Sequence, residues 1–116
     1  MNQTTIIHKE LAAGRWRAFS LAEQLGNIGS EASRAMRWKN KDEKLFQGAI
    51  DRALELFDLT LADPRWRGGR LREIARAREV FCDTFLNDGK EYQSTPQDLD
   101  RYFYYFALIA RKNSKF

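Results

Sequence analysis

From Ser20 to Lys112 the apolar residues recur at spacings of three and four, the period of an amphipathic helix, and nowhere does a strand-like alternation appear. Punctuation divides this pattern into helices. Ser20-Leu21-Ala22-Glu23 reads as a capping box, with the serine accepting an N–H and Glu23 reaching back. Leu21, Leu25, Ile28, Ala32 and Ala35 then form one stripe, which predicts a helix over about 21–38. Phe46, Ala49, Ile50, Ala53, Phe57 and Leu61 predict a second over about 41–62. Asn40 can cap it, Asp42 and Glu43 suit its positive end, and Asp63-Pro64 stops it. A third, about 70–87, follows Gly68-Gly69, turns Leu71, Ile74, Phe81, Cys82 and Phe85 inward, and ends at Asn87-Asp88-Gly89. The fourth, about 96–112, opens on Thr95-Pro96-Gln97-Asp98, where threonine caps, proline takes the first turn and aspartate closes the box.

Helices of this kind joined by short connections predict an all-α fold, an antiparallel up-down-up-down four-helix bundle over residues 20–116. Residues 1–19 form an extended N-terminal arm outside it, whose Ile6, Ile7 and Leu11 are apolar enough to pack on the bundle or on a second subunit. A chain of 116 residues that is 43% hydrophobic holds one real core and is not a disordered chain. Its apolar runs fall far short of the roughly 18 residues that span a bilayer, which predicts no membrane partner. The start lacks a secretory signal, and the lone Cys82 has no internal disulfide partner, so a cytoplasmic location is expected.

All three tryptophans sit between cations: Arg15-Trp16-Arg17, Arg37-Trp38-Lys39 and Arg65-Trp66-Arg67. In an up-and-down bundle the start of the first helix, the junction of the second and third, and the end of the fourth share one pole. Arg15, Arg17, Arg65, Arg67, Arg70, Arg72, Arg111, Lys112 and Lys115 fall there with Trp16 and Trp66, against few acids such as Asp63 and Glu73. The net charge of +4 understates that asymmetry. Guanidinium forks pair with phosphate oxygens, and an indole offers a flat face to an unstacked base. RNA or DNA bound through phosphates is therefore the expected partner of Arg15, Trp16, Arg17, Arg65, Trp66, Arg67, Arg70, Arg111 and Lys112. The structural alternative is that tryptophans close the ends of the bundle while adjacent arginines lay their stems over them.

Two further features point to an interface. Gly26 and Gly29, grouped with Ala22 and Ser33, make a row of small side chains that reads as a groove for another helix, the alternative being a simple irregularity of the helix. On the last helix Leu99, Tyr102, Phe103, Phe106, Ile109 and Ala110 suffice for the core, which leaves Tyr104, Tyr105 and Leu108 facing elsewhere. Self-association is the expected use of that patch, with a base-stacking platform as a weaker alternative, a helix simply buried all round by the N-terminal arm as another, and docking of a protein partner as an alternative function. Arg78 falls amid an apolar face and needs an acid, with Glu31 a candidate. Asp51, Glu55 and Asp58 share a helix face, but without histidine beside them they read as a solvated face or as partners of Arg72 and Arg76. Cys82 and His8 carry no catalytic pattern, and no phosphate loop or nucleophile elbow is present. A non-catalytic protein without cofactor or metal is expected.

The segments FSLAEQLGNIGSEASRAMRW at 19–38 and KLFQGAIDRALELFDLTLADPRW at 44–66 carry a resemblance. With its size, charge and layout, the chain resembles small bacterial four-helix-bundle proteins encoded in intervening sequences of large-subunit ribosomal RNA genes. It also resembles the related accessory variability proteins of diversity-generating retroelements. The resemblance implies a ring-forming homo-oligomer, typically a pentamer, that binds nucleic acid and a reverse transcriptase. It rests on architecture, and no functional residue is carried over from it.

Overall fold

A computed structural model describes residues 14–113, so Ile6, Ile7, His8, Leu11 and Lys115 lie outside the described residues. The described chain is all-helical: α1 Leu21–Trp38, α2 Glu43–Leu61, α3 Gly69–Leu86 and α4 Pro96–Lys112. Both expected capping boxes form, Ser20 with Glu23 and Thr95 with Asp98, so α1 and α4 begin where the sequence places them. The second helix starts later than expected. Asp42, not Asn40, is the cap, its side chain accepting from the Leu45 N–H. Asn40 instead adopts φ 64°, the left-handed conformation that asparagine tolerates, and so turns the chain between α1 and α2. The third helix is Gly69–Leu86 rather than 70–87.

The most extensive packing joins α1 to α4 and to α2, whereas α3 meets α2 and, least of all, α4. Paired contacts give the directions. Gly29 meets Phe103 and Gly26 meets Ala107, so α1 and α4 run antiparallel. Arg52 reaches Glu31 while Asp63, just beyond α2, reaches Gln24, so α1 and α2 do too. Phe57 against Phe81 and Phe46 against Phe85 reverse α3 on α2. The core is aromatic at its centre: Phe57 lies 5.6 Å from Phe81 and 6.1 Å from Phe103, all fully or almost fully buried. Truncating one such ring to alanine costs about 3–5 kcal/mol. On α3 the inward positions are Ile74, Ala77, Phe81, Thr84 and Phe85, while Leu71 is exposed.

The close α1–α4 contact corrects the reading of Gly26 and Gly29 as an oligomer or partner interface. A Cβ on Gly29 would collide with Phe103, and one on Gly26 would stand 3.2 Å from the Ala107 backbone. At Gly26 and Gly29 the helix that approaches is the chain's own last one. Residues 14–19, expected to lie in an arm outside the helices, are likewise part of the packed unit through Trp16, which is 6% exposed.

Candidate functional site at the basic end

Two of the three tryptophan triplets, 15–17 and 65–67, meet in one buried network organised by Gln24, whose side chain is shut off from solvent. Gln24 Nε2 donates to the Trp16 carbonyl (2.9 Å) and to Asp63 Oδ2 (3.2 Å), and its Oε1 accepts from Trp66 Nε1 (2.8 Å). Trp16 Nε1 donates to Thr60 Oγ1 at 2.8 Å, and its ring packs edge-on against Phe19. Asp63, 2% exposed, accepts from Arg65 Nη2 at 2.7 Å, from Arg65 Nε and from the Arg65 backbone N–H. Arg65 Nη2 also donates to the Phe19 carbonyl (2.7 Å), and the guanidinium covers the Trp66 ring at 4.4 Å. The Arg65 guanidinium holds the Asp63 carboxyl down at about 2, against the upward pull of its burial.

Three expected nucleic-acid contacts are therefore corrected. Trp16 is core, and an indole 6% exposed cannot stack on a base. Trp66 is half-buried, its N–H taken by Gln24 and its face by Arg65. Arg65 is committed to Asp63, because a buried carboxylate needs its paired cation. These two triplets finish the helical core. Gln24, Thr60 and Asp63 are the residues that sequence reasoning missed here, although Asp63-Pro64-Arg65 held a signal in an acid two residues before an arginine.

The other cations behave differently. Arg15, Arg17, Arg67, Arg70, Arg72, Arg111 and Lys112 are exposed, and among the described residues none pairs with a carboxylate. Their placement follows from the contacts already given. The antiparallel runs of α2 and α4 along α1 bring the α2–α3 junction and the end of α4 to the start of α1. Arg111 lines a groove with Gly26, and Arg65 ties the junction to Phe19.

The start of α3 stands out within this end. The starts of α1, α2 and α4 each have a side-chain cap and an acid in the first turn. At α3 the cap is Gly68, no side chain closes it, and the first turn holds no acid. Gly68 takes φ 57°, a conformation that favours glycine, and a Cβ on Gly68 or Gly69 would meet nothing within 4 Å. Unsatisfied N–H groups at the positive end of a helix dipole, flanked by Arg67, Arg70 and Arg72, attract anions.

Cations elsewhere are more often spent. Arg34 and Arg52 converge on Glu31 at 2.9 and 3.2 Å, which removes Glu31 as the partner expected for Arg78. Arg78 pairs instead with Asp58, its buried Nε 3.3 Å from the carboxylate but too poorly aligned for a hydrogen bond. Lys39 is held by Asp88 at 3.6 Å and by the Phe85 carbonyl at 3.3 Å. Asp83, a further buried acid unseen in the sequence, accepts the N–H groups of Glu91 and Tyr92 and the Asn87 amide. It thereby shapes a connection whose Asp88, Gly89 and Gln93 all have positive φ. The Tyr92 N–H bond holds its carboxyl below the usual range.

On α4, Tyr104, Tyr105 and Leu108 are 54%, 60% and 43% exposed, outward as expected. Burial pushes the Cys82 thiol up, away from the reactive thiolate. Among the described residues no three His, Cys, Asp or Glu side chains converge as metal ligands would, and no helix is long and apolar enough to cross a membrane. Comparison with protein-family models, with curated proteins and with solved structures finds no match to this chain.

Proposed function

We propose that this is a non-catalytic accessory protein that binds RNA or DNA through phosphates, its helices closing as an antiparallel four-helix bundle with a basic binding end. The observation that carries the reading is the open start of α3, without a side-chain cap or an acid in its first turn, and bordered by Arg67, Arg70 and Arg72, none of which pairs with a carboxylate among the described residues. Arg15, Arg17, Arg111 and Lys112 extend the positive surface around it. The sequential antiparallel contacts of α1 with α2, α2 with α3 and α1 with α4 support the bundle topology.

Arg65, Trp16 and Trp66 hold that end together rather than touch the ligand. Each phosphate neutralised releases counterions, so affinity should fall steeply with salt. Titration of fluorescently labelled RNA and DNA at two salt concentrations tests the reading. Binding that is absent at low salt, or that persists unchanged at high salt, rejects it.

A second reading is favoured by the outward Tyr104, Tyr105 and Leu108: a protein partner, or a second copy of the chain, docked on α4. A pull-down that survives nuclease and high salt but is lost in Tyr105→Ala distinguishes it.

A further inference from the structure

At the basic end Trp16 is buried, Trp66 lies under Arg65, and Phe19, 37% exposed, packs edge-on against Trp16. The most exposed aromatic rings among the described residues are Tyr104 and Tyr105. They are not remote from that end. Arg101, Tyr105, Leu108 and Lys112 follow one another along α4 at helical spacings, and Tyr104 and Arg111 flank the same line. This outward face runs about 16 Å from Arg101 to Lys112 at 1.5 Å per residue. Its last two cations are already members of the basic end.

The Tyr105 ring is held, not dangling. Tyr105 packs edge-on against Phe106 with centroids 5.5 Å apart, and Phe106 against Tyr102 at 5.2 Å. A platform braced in this way loses little side-chain freedom when something stacks on it. The charge beside it is positive in balance. Asp98 is engaged by the Thr95 cap and by Arg101 at 2.7 Å, and Asp100 is half-buried in the groove toward α1. Arg111 and Lys112 have no carboxylate partner among the described residues.

We infer that the outer face of α4 is a track for single-stranded nucleic acid, with unpaired bases on Tyr104 and Tyr105 and phosphates on Arg111 and Lys112. The inference rests on the reading of the basic end as a phosphate site and adds which strand form it takes. In a duplex the base faces are hidden against one another, whereas an unstacked base offers its flat face to a ring. Two flat rings and a leucine, with Arg101, Arg111 and Lys112 along the same line, match stacked bases and the phosphates between them.

The test uses the whole chain with a labelled single-stranded oligonucleotide and a duplex of equal length. The single strand should bind at least about tenfold tighter, because each stacked base contributes about tenfold or more. Tyr104→Ala with Tyr105→Ala should weaken single-strand binding about a hundredfold and leave the duplex unchanged. Tyr104→Phe with Tyr105→Phe should restore it, since stacking needs the ring and not the hydroxyl. Equal affinity for the two forms, unmoved by the alanine pair but weakened by Arg67→Gln with Arg70→Gln, overturns the α4 track and leaves the basic end standing. Absence of binding to either form overturns both. Light scattering closes the remaining route: an alanine pair that dissociates an oligomer and weakens both forms alike gives the face to a second copy and overturns the track.

Discussion

Replacing Trp16 separates its role in the core from the role expected of it at a ligand. The indole is 6% exposed, packs on Phe19 and donates to Thr60 at 2.8 Å. Truncation to alanine removes the burial of the ring, leaves a cavity beneath the basic end, and should cost about 3–5 kcal/mol. A domain of this size has a net stability of about 5–15 kcal/mol, so Trp16→Ala should fold only marginally or not at all. Trp16→Phe keeps most of the ring and loses the N–H. Thr60 Oγ1 still donates to the Leu56 carbonyl, so the loss should be nearer about 1–2 kcal/mol. Urea denaturation followed by circular dichroism measures both, with the midpoint reporting stability and an unchanged slope confirming that the unfolding reaction is the same. The phenylalanine variant should retain wild-type nucleic-acid affinity at temperatures where it is folded. An alanine variant of wild-type stability that had lost nucleic-acid binding would refute the buried role.

Asp63 makes stability depend on acid. Its carboxyl is held down at about 2 in the fold against 3.8 in a free chain, so its hydrogen bonds, led by Arg65 and joined by Gln24, contribute a net of about 2 kcal/mol above pH 4. A depressed carboxyl pKa means that this contribution is lost as pH falls from about 4 through about 2. Asp63→Asn should lower stability at neutral pH and flatten that acid limb in denaturant midpoints; an equally steep limb in the variant would show that other groups control it. Gly29→Ala should cost about 1–3 kcal/mol despite alanine's better helix propensity, because the new methyl meets Phe103 and α4 must move. Gly26→Ala, facing a looser contact, should cost less in the same thermal scan, and a stabilised Gly29→Ala would contradict the close packing of α1 on α4.

How far the sequence reveals all this depends on how local each cause is. The starts of α1 and α4 are legible because serine with Glu23 and threonine with Asp98 close their boxes within a single turn. The start of α2 is not, because Asn40 and Asp42 both have capping chemistry. The choice between them is made by the turn out of α1, where asparagine is needed at φ 64°. The triplets were ambiguous for a deeper reason. The same indole and guanidinium chemistry serves a base and phosphate, or a buried glutamine and carboxylate. What decides is Gln24, 39 residues from Asp63 and 42 from Trp66, a distance over which no spacing rule operates. The small-residue row correctly signalled a close helix but not whose helix. The outward position of Tyr104 and Tyr105 was legible by counting, since the neighbouring apolar positions already filled the core. The open start of α3 is written as Gly68-Gly69, a pair that by itself reads only as a break between helices.

The central claim is that unpaired arginines at the open start of α3 hold phosphates, and the slope of log affinity against log salt tests it most directly. For a single strand, each phosphate contact contributes about 0.7 to that slope. The Arg67→Gln, Arg70→Gln chain should bind more weakly and show a slope shallower by about 1.4, with its unfolding midpoint unchanged. A slope identical to that of the unaltered chain would place the phosphates elsewhere and contradict the assignment of this end.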